Sequence, residues 1–434
     1  MTVAHELIGL IGVFVLVLVL AIGVPIALSF IIVGFFGIIY VDDFSGALSA
    51  MMTIPYRWAV TYELAPVVLF LLMAAIVSRG GVAESLYEAV TKWLGRIRGS
   101  LAVATVLACG AFATVSGSSI ATAGAMGGIA LPEMKKRKYD MRMAAGAAAA
   151  GGTIGILIPP SIPLIVYGIL VEESIGRLFI AGVIPGIMEI ISYALTIFII
   201  VRIRPQWAPI GPSYTFRAKM KSLLPVWAVL VLALVIIGGI YGGVFTPTEA
   251  GAIGASTAFL IVLLTRHTMT FKDFVTALLE AGSLSASLFM IIIGAMIFNR
   301  FMVLSGLIAK VGEVAAFFES PASFLLFMAG VYFILGCFIE PLPMIILTLP
   351  IVLPILEHLA INLIWFAIVA VRMMEVGLIT PPVGMNLFTI SAVNPDIRTI
   401  EIIKGVLPFL AADIVCILLL IFFPQLSLFL PGKM

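Results

Sequence analysis

The segment GGTIGILIPPSIPLIVYG, residues 151–168, interrupts a long apolar stretch with two adjacent prolines and a serine. A proline lacks a backbone N–H and crowds the preceding turn, so Pro159 and Pro160 should break a helix and free carbonyl groups before them. At membrane depth, such irregular backbone is tolerated only where protein or a water-filled cavity surrounds it. The segment therefore predicts a discontinuous helix that lines a binding site.

The composition is that of a polytopic membrane protein. Of the 434 residues, 62% are hydrophobic and only 11% are charged, and the mean hydropathy is +1.25. A soluble domain is about half apolar and a quarter charged. Cys109, Cys337 and Cys416 lie far apart in apolar segments and are expected to be free thiols. No histidine–cysteine cluster has metal-ligand spacing, and no GxxxxGK[ST] phosphate-binding motif is present.

The two halves of the chain match at one constant offset. Pro159 and Pro160 recur 222 positions later as Pro381 and Pro382, and Gly155 recurs as Gly377. Matches on one diagonal, two of them adjacent prolines, indicate an internal duplication. Each half holds an odd number of predicted crossings, so the second copy should be inverted. Most of the 24 lysines and arginines then fall on the cytoplasmic side, as the positive-inside rule requires.

Two apolar blocks, residues 100–134 and 320–356, are each about 35 residues long, or roughly 50 Å as helix, which is too long for one crossing. Each carries helix breakers in its middle, SGSS at 116–119 and GCFIEPLP at 336–343. We interpret each block as a re-entrant hairpin that enters and leaves the membrane on one side.

The predicted fold is an all-α polytopic membrane protein with two inverted structural repeats, each with five crossings and one re-entrant helical hairpin. The first repeat, 1–217, comprises scaffold helices (1–78), an arm (80–98), the hairpin (100–134), the broken helix (142–170) and a closing helix (177–203). The second, 218–434, comprises scaffold helices (223–298), an arm (301–318), the hairpin (320–356), the broken helix (361–394) and a closing helix (404–430).

Hairpin tip and broken helix should together form one site in each half, near the bilayer midplane. Carbonyl and hydroxyl oxygens without formal charge suit a hard monovalent cation, and the N-terminus of a hairpin arm can face an anion. No nucleophile–base or metal constellation appears in the sequence, so no enzymatic function is expected.

Charged residues inside the apolar segments are candidates for function. Glu340 lies at the second hairpin tip, and Arg372 and Glu375 form an i, i+3 pair on the second broken helix. For this pair, substrate contact and a structural salt bridge both remain open. Asp413, Glu189 and Glu280 are interpreted as packing or helix-end charges.

Four segments resemble the large membrane subunit (DctM type) of tripartite ATP-independent periplasmic, or TRAP, transporters. They are VSGSSIATAGAMGGIALPEM (115–134), AAGGTIGILIPPSIPLIVYG (149–168), GVFTPTEAGAIGA (243–255) and EVGLITPPVGMN (375–386). The motifs occur in order, and the resemblance covers essentially the whole chain.

The resemblance implies an elevator-type transporter in the inner membrane of a bacterium or archaeon. A periplasmic binding protein (DctP type) would deliver an organic anion, a carboxylate such as a C4-dicarboxylate or sialic acid. Two or more sodium ions would drive import, with no organic cofactor and no nucleic-acid partner. Because the repeat uses all 434 residues, the small membrane subunit (DctQ type) should be a separate chain.

Site residues carried over from the resemblance fall into three sets. The first sodium site would use Ser116, Ser118, Gly155, Ile158 and Pro160; the second would use Gly336, Glu340, Gly377, Thr380 and Met385. The substrate would lie among Ser119, Thr122, Ser161, Thr380, Pro381, Pro382 and Asn386. The tips differ between the repeats, because SGSS aligns with FIEP.

Two competing functions remain open. One is a carboxylate or Na⁺/H⁺ carrier on the same inverted-hairpin fold that needs no binding protein. The other is a channel or a structural membrane scaffold, which saturable sodium-dependent transport would exclude.

Overall fold

The computed structural model describes residues 2–266, 270–314, 317–318 and 320–434. The predicted scaffold segment 223–298 and the predicted arm 301–318 each include residues outside these ranges. Within the described chain the structure is helical, with no strand and a single isolated bridge between Arg98 and Ile210. The all-α prediction is confirmed.

The first part of the chain forms ten α-helices. They are α1 (Thr2–Ala21), α2 (Ile26–Val41), α3 (Phe44–Ala59), α4 (Ala65–Arg79), α5 (Val82–Leu94), α6 (Ser100–Ser116), α7 (Ser119–Lys136), α8 (Met141–Leu157), α9 (Ile162–Leu170) and α10 (Ile175–Ile203).

The remaining described residues form a further series. They are α11 (Phe216–Leu223), α12 (Trp227–Ala233), α13 (Gly239–Tyr241), α14 (Pro247–Arg266), α15 (Phe271–Leu304), α16 (Leu307–Val314), α17 (Pro321–Gly336), α18 (Pro341–His358), α19 (Leu363–Leu378), α20 (Met385–Val393), α21 (Thr399–Phe422) and α22 (Gln425–Leu428). A π-helical turn, Leu234–Gly238, joins α12 to α13, and 3₁₀ turns lie at Tyr62–Leu64, Pro205–Trp207 and Pro431–Lys433.

Six helical segments among the described residues are long and apolar enough to cross a membrane, so the protein is a multi-pass membrane protein. They are Tyr62–Arg79, Met141–Leu170, Ile175–Ile203, Phe271–Leu304, Pro341–His358 and Thr399–Phe422. Further apolar helices, among them α2, α6 and α17, are shorter. The predicted closing helix 404–430 is found as α21, which begins at Thr399 and ends at Phe422, two residues before Pro424.

Helix α3 is an element that the hydropathy pattern did not separate. Its apolar residues follow the period of a helix rather than a continuous run: Leu48, Met52 and Tyr56 are exposed on one side, while Ala47 and Ala50 are buried. Asp43 caps the helix by accepting a hydrogen bond from the backbone N–H of Gly46 at 2.6 Å.

The chain divides into two compact units, and neither coincides with a predicted repeat. One contains residues 1–65, 282–324 and 342–363, and the other contains 66–281, 325–341 and 364–434. Every residue predicted for a sodium or substrate site lies in the second unit, which we call the site unit. The repeat boundaries themselves stay a prediction.

Helix α8 forms the core of the site unit. All of its residues from Met143 to Leu157 are buried, and most are alanine or glycine. Small side chains allow helices to approach closely in membranes, and α21 packs directly on α8 in this way. A β-carbon at Gly405 would collide with the carbonyl oxygen of Arg142 and would lie 3.2 Å from the backbone nitrogen of Gly146.

We predict that Gly405→Ala destabilises the protein by roughly 1–3 kcal/mol, because the added methyl group must push two backbones apart. Thermal unfolding of the purified protein in detergent measures the effect. Gly282→Ala is the matched control, since a β-carbon at Gly282 meets no atom within 4 Å. Equal melting temperatures for both variants would contradict the close packing of α8 and α21.

Candidate functional site

The first hairpin turns at a short polar tip between α6 and α7. Gly117 ends α6 in the left-handed region, at φ 59°, and its N–H donates to the carbonyl of Ala113 at 3.3 Å. Residues other than glycine seldom adopt this conformation. Ser118 then caps α7, because its side chain accepts a hydrogen bond from the N–H of Ala121 at 3.3 Å.

The predicted helix break is present between α8 and α9. Ile158 is extended after the last helical residue, Leu157, and the following Pro159–Pro160 peptide bond is cis. Neither proline can donate a hydrogen bond to the carbonyl groups of the preceding turn. Ser161 starts α9 by accepting a hydrogen bond from the N–H of Leu164 at 3.4 Å.

Hairpin tip and helix break contact each other around Gly155. A β-carbon on Gly155 would lie 2.7 Å from the carbonyl oxygen of Ser118 and 2.8 Å from the hydroxyl of Thr122. A β-carbon on Gly117 would lie 2.7 Å from the carbonyl oxygen of Pro160. The tip therefore meets α8 at Gly155 and the break at Pro160, in both places through neutral oxygens.

Other predicted residues of this site have individual roles. The hydroxyl groups of Ser116 and Thr122 are hydrogen-bonded to each other at 2.7 Å. Ile158 directs its side chain towards Gly186 of α10. The carbonyl and hydroxyl oxygens gathered here carry no formal charge, which matches the ligands of a monovalent cation such as Na⁺ better than those of a divalent one.

The second predicted site has its own close contacts. The backbones of Gly336, at the end of α17, and Gly377, on α19, touch: a β-carbon on Gly336 would lie 2.9 Å from the Cα atom of Gly377. The N–H of Gly384 donates to the carbonyl of Cys337 at 3.4 Å, across the break between α19 and α20. The Pro381–Pro382 peptide bond in this break is also cis.

The remaining predicted residues of the second site are arranged less tightly. Glu340 and Pro382 are exposed, and Met385 is the first residue of α20. Thr380 lies two residues after the end of α19, and its hydroxyl donates to the carbonyl of Val376 in that helix at 2.6 Å. Cys337 was not among the predicted site residues, but its carbonyl is the one that accepts from Gly384, and its thiol lies 3.9 Å from the carbonyl oxygen of Pro381. Cys337 could have been selected from the sequence, because it directly follows Gly336, which was predicted for the second sodium site.

Two predicted substrate residues from different halves both reach α8. The Ser119 hydroxyl donates to the carbonyl of Thr153 at 3.4 Å, and the Asn386 amide donates to the carbonyl of Ala149 at 3.2 Å. Asn386 is fully buried, and its side-chain oxygen has no hydrogen-bond partner. A buried amide oxygen without a partner is available to a ligand donor.

Arg372 lies at the centre of a buried charge cluster. Its Nη1 contacts Glu189 at 2.6 Å and Glu375 at 3.1 Å, and its Nη2 contacts Asp413. All four side chains are fully buried. We call these four residues the Arg372 cluster. The salt bridge between Arg372 and Glu375 is present, and substrate contact by this pair stays a prediction.

The interpretation of Glu189 and Asp413 as packing or helix-end charges was wrong. They lie in mid-helix on α10 and α21, and both are ion-paired with Arg372 of α19. The signal was present in the sequence, because a buried charge at membrane depth needs a partner. The sequence did not show which residues form the ion pairs, because Glu189, Arg372 and Asp413 are far apart in the chain. Glu280, in contrast, is partly exposed and pairs with Arg79 at 2.9 Å.

No group of three or more histidine, cysteine, aspartate or glutamate residues in the described part of the chain has the geometry to hold a metal ion. Cys109, Cys337 and Cys416 are free thiols, as predicted.

The chain is similar to known proteins over most of its length. The family model "Tripartite ATP-independent periplasmic transporter, DctM component" matches residues 13–426. The C4-dicarboxylate TRAP transporter large permease protein DctM of Pseudomonas aeruginosa is 38% identical over 89% of this chain and 93% of its own. The sialic acid TRAP transporter large permease protein SiaM of Vibrio cholerae is 32% identical over 85% of this chain and 86% of its own.

Among solved structures, the YdaH transporter of Alcanivorax borkumensis has a similar fold. The TM-score is 0.63 over 88% of this chain and 90% of that chain, at 14% sequence identity. Together with the family match, these findings show that the chain belongs to the DctM family, the large permease component of tripartite ATP-independent periplasmic transporters.

Proposed function

We propose that this large permease imports an organic anion together with sodium ions, by an elevator movement of its hairpins and broken helices. The observation that carries the proposal is the contact between hairpin tip and helix break at Gly155. There the carbonyl of Ser118 in the tip and the hydroxyl of Thr122 in α7 face a space beside Gly155 that a single methyl group would fill, and the carbonyl of Pro160 in the break approaches the tip at Gly117.

Sodium fits the chemistry of that space. Its ligands would be the carbonyl oxygens of Ser118 and Pro160 and the hydroxyls of Ser116 and Thr122. The prolines also leave carbonyl groups of the preceding turn of α8 without donors, which adds neutral oxygens near the break. The second site, around Gly336, Gly377 and the Pro381 carbonyl, offers mainly backbone oxygens of the same kind.

The proposed substrate is a carboxylate. The two relatives described above are named for C4-dicarboxylate and for sialic acid, which both carry carboxylate groups. In this chain, buried Ser119 begins α7, whose first N–H groups form a positive helix end that favours an anion. Asn386 lies close to the same stretch of α8, and its partnerless amide oxygen would accept a hydrogen bond from a hydroxyl or N–H group of the substrate rather than contact the carboxylate. Bound cations at the two breaks would offset the cost of placing the anion in a desolvated site.

The proposed partners follow from the family description. A tripartite system with a large permease implies a small membrane subunit and a periplasmic binding protein that delivers the anion. The complex would then reside in the inner membrane of a bacterium or archaeon, with the lipid bilayer around it.

Gly155→Ala tests the first sodium site. The added methyl group would occupy the space between the Ser118 carbonyl and the Thr122 hydroxyl. We expect the sodium concentration for half-maximal uptake to rise about tenfold or more, a loss of roughly 1.4 kcal/mol. Uptake is measured in proteoliposomes that contain both membrane subunits, with the loaded binding protein outside.

Gly330→Ala is the control for that experiment. Gly330 lies in the middle of α17, and a β-carbon there meets no atom within 4 Å. Its sodium dependence should equal that of the unmodified protein. If Gly155→Ala also kept the original sodium dependence, the site assignment would fail.

Import should carry net positive charge inward. Each such charge gains about 2.3 kcal/mol per 100 mV, which corresponds to roughly a 50-fold change in the attainable concentration ratio. An inside-negative potassium diffusion potential should therefore raise the initial rate and the final accumulation of substrate. Uptake that is indifferent to the potential would contradict net positive stoichiometry.

Omission of the binding protein separates this proposal from the competing carrier. Without the binding protein, free anion should give almost no uptake, even at the concentration at which it is otherwise supplied bound to that protein. Equal uptake with and without the binding protein would instead favour a carrier that works alone on the same fold.

A further inference from the structure

Thr153 lies between the first hairpin tip and the Arg372 cluster, in a position that the proposed sites do not use. It is fully buried on α8, two residues before Gly155. Its carbonyl accepts the hydrogen bond from Ser119 at the start of α7. Its hydroxyl lies 2.8 Å from a carboxylate oxygen of Glu189 and 2.6 Å from the carbonyl of Ala150. One residue therefore contacts the tip with its backbone and the buried charges with its side chain.

Tyr193 reinforces the same contact from α10. Its hydroxyl lies 3.0 Å from the Thr153 hydroxyl and accepts a hydrogen bond from Nη2 of Arg372 at 3.4 Å. The Tyr193 ring is fully buried, and the Arg372 guanidinium lies 5.9 Å from its centroid. Tip, α8, α10 and α19 are thus joined by an unbroken series of buried polar contacts.

The sequence offset relates Thr153 to a member of the cluster. At the separation of 222 residues that aligns the two proline pairs, Thr153 aligns with Glu375. Each of these residues lies near the C-terminal end of its broken helix, α8 or α19. Thr153 reaches Arg372 through Glu189, and Glu375 reaches Arg372 directly. The two helices that break at the proposed ion sites therefore share one buried arginine.

We propose that Thr153 is a positioning residue that couples the two proposed ion sites through the Arg372 cluster. The inference rests on the proposed sodium coupling. An ion at the first site orders the tip and the end of α8, which fixes Thr153 against Glu189. Glu189 and Glu375 both contact Nη1 of Arg372, so a fixed position of Glu189 fixes Arg372 and, through it, Glu375 and α19. Ion binding at one site then favours ion binding at the other.

Thr153→Val tests the coupling in proteoliposomes with both membrane subunits and the binding protein. Valine keeps the shape and the backbone carbonyl of Thr153 and removes only the hydroxyl. With two coupled sites, the Hill coefficient for sodium in the unmodified protein should approach about 2. We expect it to fall towards about 1 in Thr153→Val and to return in Thr153→Ser, which restores the hydroxyl.

Thr105→Val is the matched control. Thr105 is also fully buried, and its hydroxyl donates to the carbonyl of Leu101 within α6 at 2.9 Å. The Hill coefficient for sodium in Thr105→Val should equal that of the unmodified protein. Thermal unfolding of each purified variant is measured alongside the transport assay to check that it folds. If Thr153→Val does not fold, Tyr193→Phe serves in its place. It removes the neighbouring hydroxyl and should also lower the Hill coefficient for sodium.

The outcomes separate this inference from the proposed function. Uptake by the unmodified protein that does not depend on sodium would overturn the proposed function. Sodium-dependent uptake with the same Hill coefficient in Thr153→Val as in the unmodified protein would overturn the coupling role alone. An equal decrease in Thr105→Val would also overturn it, because the effect would then be general to buried threonine hydroxyls.

Discussion

Adjacent prolines at membrane depth leave backbone carbonyl groups without N–H donors. The arrangement of the site unit follows from how these carbonyl groups are shielded from lipid or given other polar partners. Lipid offers no hydrogen bonds, so the break between α8 and α9 has to be enclosed by protein or by a polar ligand. The first hairpin tip meets this need because its turn at Gly117 has no side chain and can approach the Pro160 carbonyl. At the opposite end of the break, Ser161 caps α9 by accepting a hydrogen bond from a backbone N–H of its first turn.

The same constraint explains the composition of α8. A helix that carries a break in the centre of a compact unit must be covered on every side, and its run of alanines and glycines permits close approach from several neighbours. Helix α7 supplies Ser119, α20 supplies Asn386, and α21 contacts α8 at Gly146 through Gly405. Residues from both halves of the chain therefore converge on one helix, which gives the two predicted sites a common support.

The Arg372 cluster adds a second, electrostatic constraint on the same helices. Removal of one partner from a buried ion pair costs about 3–5 kcal/mol because the other charge stays uncompensated. Helices α10, α19 and α21 each contribute a charge to the cluster, so separating any of them from the others is unfavourable. Such a cluster is suited to hold a group of helices together during a movement. The proposed elevator movement would require these helices to move as one body.

Much of this protein was determined by the sequence alone. Hydropathy, the proline pairs and the SGSS segment were sufficient to predict an all-helical membrane protein, its break at Ile158–Ser161 and the division of 100–134 into two helical arms, because each depends on local backbone chemistry. Family membership, confirmed by comparison, followed from motifs that are contiguous in the chain. Helix α3 was not separated, since its apolar residues are spaced by the helical period and form no continuous block. The partners of the buried charges could be found only from the three-dimensional structure. The same is true of the contact between Thr153 and Glu189. The three-dimensional structure also showed that the carbonyl of Cys337 accepts a hydrogen bond from Gly384 in the second break. These contacts join residues far apart in sequence, and their partners are chosen by helix packing, which leaves no local pattern in the chain.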